Sequence, residues 1–319
     1  MRWLFVVALG GCGFHHGALQ ADAGPGDTPP NLVDEGVDAP ADATRANCYA
    51  QWLDGTIRFN TAVALAGVND AGFDRDPFLA GNELTFFVST LRTGSMGSDI
   101  FTATRASKSD TFSTPVRDDA FSSSGGESKL SITADGLTAI VGSDRTGTAG
   151  GIDIWETTRA TTNDAWPAMT RDRVMMLESA GSDHDPTISA DGLRIYYAPD
   201  SPVQHIAVAT RANRNSNFGA PVTITQLASG TGDADPSPTP DERIIVFSSN
   251  RTLAGALNGN MWYATRASAS ATFDTPQPVP DLNTDASEGD PHLSTDGCRI
   301  YFARNGGATD WDIYVATAQ

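Results

Sequence analysis

Short apolar runs, separated by turn residues, recur from about residue 58 to the C-terminus. Five stretches align with one another: DPFLAGNELTFFVS from Asp76, KLSITADGLTAIVGS from Lys129, DPTISADGLRIYYA from Asp185, DPSPTPDERIIVFSS from Asp235 and DPHLSTDGCRIYFA from Asp290. The turn position falls at Asn82, Asp135, Asp191, Asp241 and Asp296, at intervals of 53, 56, 50 and 55 residues. Each copy continues into a third run: DIFTATR from Asp99, DIWETTR from Asp153, HIAVATR from His205, NMWYATR from Asn260 and DIYVATA from Asp312. A fourth element stands before the next copy: FSTPV from Phe112, WPAM from Trp166, FGAPV from Phe218 and FDTPQPV from Phe273.

Runs rich in Ile, Val, Phe and Tyr and bounded by Asp-Gly or Gly-rich turns predict strands joined by hairpins. The stretch Leu193–Tyr197 predicts a strand covered on both faces. A fixed period of about 50 residues is the mark of a repeat architecture. Four strands make one twisted sheet that cannot bury both faces alone, and radial stacking as a β-propeller lets neighbouring sheets cover one another. Sustained helical periodicity is absent. The predicted fold is therefore all-β, a five-bladed propeller over residues 48–319. The last copy has three runs, and an unmatched element, RFNTAVALAGVND from Arg58, parallels FDTPQPVPDLNTD from Phe273. This N-terminal strand is expected to complete the last blade and so remove an exposed sheet edge.

The copies share the pattern [DE]-x-D-P-x-x-S-x-D-G-x-x-[IL]-Y-[FY], then Ser-x-Arg-x-Gly, then Gly-x-Asp-Ile-[WY]. Ser189–Tyr196 and Ser143–Gly147 leading to Asp153-Ile154-Trp155 carry it most clearly. Over residues 73–318 the chain resembles the WD40-like repeat of TolB-type propellers. Copy three departs, with Pro199 to Pro202 in place of the Arg-x-Gly hairpin, and copy five lacks the terminal Arg. The resemblance implies an exported, envelope-associated interaction platform without naming its partner.

The N-terminus carries an address. Met1–Gly11, MRWLFVVALGG, has one basic residue and an apolar run too short for a permanent span, as in an export signal. Leu9-Gly10-Gly11-Cys12 resembles a bacterial lipobox, which implies lipidation of Cys12, residues 1–12 as the signal, and a place at the outer membrane. Two chains suffice for stable anchoring. Residues 13–47 hold seven Ala, five Gly, four Pro and six acidic residues against one Arg, the composition of a disordered, extended tether.

Of 319 residues, 39 are Asp or Glu and 21 Lys or Arg, a net charge of −18. Acidity on this scale argues against nucleic acid and against docking on anionic lipid by charge. Membrane contact is expected through the lipid anchor only, and the propeller itself is expected to be monomeric. Cationic ligands, metal ions and basic partners remain compatible.

The most regular chemical feature is a doublet before each first strand: Asp74/Asp76, Glu127/Lys129, Asp183/Asp185, Asp233/Asp235 and Glu288/Asp290. An inner first strand would gather these side chains at one mouth of the channel, as an anionic rim for a cation, a basic peptide or a polyhydroxylated ligand. Hard oxygen ligands suit Ca²⁺ rather than zinc. Recurrence in every copy favours instead a structural role, each Asp bonding backbone N–H groups of its own turn. A carbohydrate-active enzyme using channel carboxylates is the rival reading, since glycoside hydrolysis needs two carboxyls about 5–10 Å apart. No particular pair stands out; aromatics outside the repeat, Trp166 and Trp311 for instance, offer surfaces for sugar stacking, although such tryptophans more often plug the space between blades. Nucleophile-elbow, P-loop and zincin motifs are absent. His184 and His292 flank the rim, with His205 in a third copy. Cys48 and Cys298 remain once Cys12 is assigned to lipid; in an oxidising compartment they are expected to pair and lock the ring. The leading expectation is a lipid-anchored, non-catalytic module that binds an envelope protein or glycan.

Overall fold

The computed structural model describes residues 47–319 apart from 93–96, 149, 170–176, 178–180, 201, 254–258 and 307–309. Cys12 and the stretch up to residue 46 lie outside the described residues. The fold is a five-bladed β-propeller. Blade 1 comprises β2 (Asp74–Leu79), β3 (Thr85–Thr90), β4 (Asp99–Thr104) and β5 (Val116–Arg117). Blade 2 comprises β6 (Glu127–Ile132), β7 (Thr138–Ser143) and β8 (Asp153–Thr158). Its counterparts of Val116 and Arg117, Thr170 and Arg171, lie outside the described residues. Blade 3 holds β9 (Asp183–Ile188), β10 (Arg194–Pro199), β11 (Ala207–Thr210) and β12 (Val222–Thr223). Blade 4 holds β13 (Asp233–Pro238), β14 (Ile244–Ser249), β15 (Asn260–Thr265) and β16 (Gln277–Pro278). Blade 5 combines β17 (Ser287–Leu293), β18 (Arg299–Asn305) and β19 (Trp311–Thr317) with β1 (Val63–Ala64) from the front of the chain. No helix among the described residues is long and apolar enough to cross a membrane.

Alternation along the second strand of each blade explains the stacking. Phe86 and Val88 face blade 5, whereas Phe87 faces blade 2; Ile195 and Tyr197 face blade 2, whereas Tyr196 faces blade 4. The buried apolar residues accordingly fall into five clusters, one at each seam between adjacent blades. A strand apolar on both faces is stable only where both faces are covered, and the ring supplies that cover.

A second repeated device ties each blade's inner hairpin to its outer edge. Arg105, Arg159, Arg211 and Arg266 close the third runs, and each donates through Nε to the carbonyl of Glu83, Gly136, Gly192 or Glu242 at 2.6–2.8 Å. Each guanidinium also lies 4.2–4.4 Å over the ring of Phe112, Trp166, Phe218 or Phe273. Blade 5 has no such arginine. There the short helix α1 (Tyr49–Leu53) brings in Trp52, whose Nε1 donates to the carbonyl of Gly297 at 2.9 Å and whose ring packs 5.6 Å from Phe59. Gly297 is the counterpart of those four carbonyl residues, and Phe59 of those four aromatics. A different side chain from a different part of the chain thus fills the same role.

Ring closure is completed by pairing of Val63 with Val315 and Ala64 with Tyr314, and by a disulfide between Cys48 and Cys298 (S–S 2.10 Å) that spans 250 residues. Cross-linking distant residues removes entropy from the unfolded chain, by about 2–5 kcal/mol in total for long loops. Cys298→Ser is expected to lower stability by about that amount, read as a fall in the urea midpoint with a slope no shallower than the parent's, since the uncross-linked chain unfolds to a less compact state. A midpoint equal to the parent's would show that the bond contributes nothing.

Candidate functional site

The inner strands β2, β6, β9, β13 and β17 run side by side around the axis, and each is broken by a bulge where pairing with the second strand slips. The residue in each bulge is left-handed: Asp76 (φ 52°), Lys129 (φ 40°), Asp185 (φ 56°), Asp235 (φ 53°) and Asp290 (φ 53°). Aspartate tolerates this region better than most residues, because its short polar side chain bonds locally; lysine gains no such compensation. The bulge separates the two members of every doublet.

Four of the first members are paired within their own blades. Asp74 pairs with Arg92 (3.0 Å), Glu127 with Arg145 (3.2 Å), Asp233 with Arg251 (3.2 Å) and Glu288 with Arg304 (2.8 Å). Each also accepts a backbone N–H four residues upstream, from Asp70, Ser123, Ser229 or Thr284. Arg92, Arg145 and Arg251 come from the hairpin after the second strand, whereas Arg304 lies on β18 itself, cross-strand from Glu288; copy three has Pro199 to Pro202 in place of that hairpin. The candidate rim therefore shrinks from nine carboxylates to the second members. Asp74, Glu127, Asp183 and Asp233 open their inner strands, and Glu288 is the second residue of β17.

Asp76, Asp185, Asp235 and Asp290 converge on the axis with Lys129. One carboxylate oxygen each from Asp76, Asp185 and Asp235 lies within 4.8 Å of the others. Asp290 is fully buried and is held bidentately by Arg75, Nε to Oδ2 at 2.8 Å and Nη2 to Oδ1 at 3.2 Å. Arg75 in turn lies 4.7 Å over the ring of Trp311. The backbone N–H of Asp290 donates to Asp235 Oδ2 (3.3 Å) and to Ser248 Oγ (3.1 Å). Burial pushes the carboxyl of Asp185 well above the usual range, reinforced by Asp235, Asp76 and Asp290. Burial likewise raises Asp290, to about 7, against the pull of Arg75. For Asp235 the effect of burial is outweighed by the charges of Lys129 and Arg75, and by hydrogen bonds from Ser248 and Asp185; it is held down at about 2. Asp76 is raised by burial, with Arg75 and Lys129 opposing.

Two hollows flank this layer. The smaller, about 170 Å³, opens among the starts of the inner strands and includes Arg75, Asp235, Asn250 and Trp311. The larger, about 650 Å³, is a funnel at the Asp-Gly-turn face. Phe78, Ser131, Thr187, Ser237 and His292, two residues beyond the bulge positions, line it from all five blades. It extends over the seam between blades 1 and 2, where Phe87, Thr102, Arg159, Thr162 and Trp166 border it. Its two carboxylates are engaged. Asp118 accepts the Thr102 hydroxyl and the Ala120 N–H, and Asp135 pairs with Arg214 at 2.5 Å while accepting the Leu137 N–H.

The histidines do not share partners. His184 sits 3.2 Å from Asp200 and His205 3.5 Å from Asp233, while His292 Nε2 faces the Leu79 carbonyl at 3.3 Å. Burial and the Lys129 charge push His292 down to about 3. The funnel residues were legible only as the second position after each bulge residue, a signal hidden by their dissimilarity: Phe, Ser, Thr, Ser and His.

No family model and no curated protein matches the chain. Among solved structures it is similar to a family 117 glycoside hydrolase of the marine bacterium Zobellia galactanivorans (12% identity, TM-score 0.56, 82% of this chain and 90% of that one). It is also similar to the catalytic domain of a GH62 α-L-arabinofuranosidase of Coprinopsis cinerea (10% identity, TM-score 0.56, 82% and 97%). TolB from Acinetobacter baumannii matches at 15% identity and a TM-score of 0.42, over 78% of this chain and 55% of that one, so the chain spans just over half the TolB length. At these identities the likeness is one of fold.

Proposed function

We propose that this chain is a non-catalytic binding propeller of the bacterial envelope, anchored through Cys12, that seats an envelope glycan in the funnel. The observation that carries this reading is the funnel's chemistry: about 650 Å³, with hydroxyls from all but one blade's inner strand or turn, aromatic walls and no uncommitted carboxylate pair. Such a surface suits an uncharged, hydroxyl-rich ligand, whose apolar sugar faces stack on aromatic rings. A basic peptide would find few free anions there. Hydrolysis is less well supported, because the axial carboxylates lie outside the funnel lining and the funnel's own two, Asp118 and Asp135, are engaged. Export is supported by the lipobox-like Leu9–Cys12 and by the Cys48–Cys298 bond, which belongs to an oxidising compartment.

The test is binding of the purified chain to a panel of bacterial envelope polysaccharides, with reducing-end release measured in parallel. Trp166→Phe is the informative variant, since Phe112, Phe218 and Phe273 stack under the equivalent arginines in other blades. The clamp should survive, while the ligand loses the larger ring; about a tenfold loss of affinity is expected. Turnover of any polysaccharide would overturn the non-catalytic reading. Binding of proteins alone, captured by crosslinking in cells, would move the ligand from glycan to protein. Cys12→Ser is expected to shift the protein from the membrane to the soluble fraction.

A further inference from the structure

We propose that the inner end of the funnel is a subsite for an acetamido group, so that the glycan seated there carries N-acetylated amino sugars; this rests on the glycan reading of the funnel and narrows it. One side chain from each inner strand meets there: Phe78, Ser131, Thr187, Ser237 and His292. Three of them are tied to the inner strand of the next blade. Ser131 Oγ accepts the Ile188 N–H at 3.2 Å, Thr187 Oγ1 donates to the Pro236 carbonyl at 2.7 Å, and His292 Nε2 faces the Leu79 carbonyl at 3.3 Å. Ser237 and Phe78 break the series. Phe78 has nothing to donate. Ser237 is only 3% exposed, yet its hydroxyl has no hydrogen-bond partner among the described residues.

His292 supplies a bare acceptor beside that hydroxyl. Its Nε2 faces a carbonyl, which only accepts, so Nε2 carries the ring proton. Burial and the Lys129 charge keep the imidazole neutral by pushing it down to about 3. A neutral ring protonated on Nε2 leaves Nδ1 as an acceptor, and Nδ1 has no partner among the described residues. The Phe78 ring lies 4.8 Å from the imidazole on the blade 1 side, and Ser237 comes from blade 4 on the other. Around this arc the order is hydroxyl, acceptor, aromatic ring. Leu79, Ile188 and Leu293, 4–6% exposed, add an aliphatic wall.

An acetamido group presents one N–H, one carbonyl oxygen and one methyl, and these three surfaces answer it. The N–H donates to His292 Nδ1, the carbonyl accepts from the Ser237 hydroxyl, and the methyl packs on Phe78. A buried hydroxyl without a partner is unfavourable, so a ligand that engages Ser237 removes a cost the free protein carries. A plain sugar hydroxyl makes the polar contacts but leaves the aromatic and aliphatic wall unmatched. A free amine brings a positive charge into a lining whose two carboxylates, Asp118 and Asp135, are already engaged, and a charge desolvated without a partner is disfavoured. The neutral, half-apolar acetamido group meets neither objection.

The test titrates the full chain, by calorimetry, with two neutral probes that share one backbone. Chitotetraose carries a 2-acetamido group on each sugar where cellotetraose carries a 2-hydroxyl. Chitotetraose is expected to bind about tenfold tighter or more, the joint effect of one hydrogen bond and one buried methyl. Ser237→Ala is expected to cut that ratio by about threefold or more. His292→Phe, which keeps a ring but no acceptor, should lower it too; if that variant fails to fold, Ser237→Ala decides. Equal affinity for the two probes, with both weakened by Trp166→Phe, would overturn the acetamido subsite and leave the glycan reading standing. Selective binding of envelope polysaccharides that lack N-acetyl groups would do the same. A preference unchanged in both variants would place the acetamido group elsewhere and so overturn the proposal. Binding of neither probe and of no polysaccharide in the panel would overturn both readings.

Discussion

Trp52→Ala is expected to cost about 3–5 kcal/mol, the range for emptying a large aromatic site in a core, and to lower Tm by roughly 6–15 °C in a chain of this size. Trp52 is fully buried in the seam between blades 4 and 5, 5.0 Å edge-on to Tyr263 and 5.6 Å from Phe59. Its Nε1 is the donor that answers the Gly297 carbonyl. Truncation therefore opens a cavity and orphans an acceptor at once. The damage should be local in its first stage: hydrogen exchange is expected to speed up in β1 and β19, where the ring closes, before the inner strands of blades 2 and 3. A loss below about 1 kcal/mol, the size of an ordinary surface substitution, would mean that the strand pairing and the disulfide close the ring without the helix.

The second large effect is expected from Arg145→Met, about 3–5 kcal/mol, the cost of leaving one charge of a buried pair unanswered. Arg145 donates to Ser143 Oγ (2.9 Å), the Met169 carbonyl (2.5 Å), the Phe121 carbonyl (2.6 Å) and Glu127 Oε1 (3.2 Å). Burial lowers its own pKa and raises that of Glu127 above the ordinary 4.5. Removing the guanidinium takes away a charge that favours ionised Glu127, so the folded-state pKa of Glu127 rises further. A carboxyl whose folded pKa is raised contributes stability that is present below its unfolded pKa and is lost as pH rises through the folded value. The deficit of the variant should therefore shrink as pH falls toward the ordinary carboxylate range. Denaturant midpoints for variant and parent, compared at acidic and neutral pH, check this; a deficit independent of pH would show that lost packing over the Trp155 ring, 5.1 Å from the guanidinium, rather than charge, dominates.

How much was legible can be followed residue by residue. The five inner hairpins were legible because their turns depend on local chemistry: Asn82, Asp135, Asp191, Asp241 and Asp296 each accept an N–H two residues on. Blade number and the closing strand followed from counting runs, since a propeller repeats one unit and an unmatched run at each end must meet its complement. The acidic doublets were visible as a pattern, yet their division was not. Two acidic residues one apart on a regular strand would point the same way; the left-handed bulge residue breaks that parity, and no composition rule marks it beyond the Asp-Pro pair.

What the chain alone determines is everything carried by short-range chemistry and period: strands, turns, the repeat, the five-fold architecture and the acidic character of its axis. Tertiary structure decided which carboxylates meet. Asp76, Asp185 and Asp235 are separated by 109 and 50 residues in sequence and come within 4.8 Å only because the ring brings equivalent positions to one axis. It also decided that Trp52 replaces a missing arginine, and that a funnel opens where Phe78, Ser131, Thr187, Ser237 and His292 face one another. Those outcomes depend on through-space packing of elements remote in sequence, where identity at a position says little until its neighbours are in place.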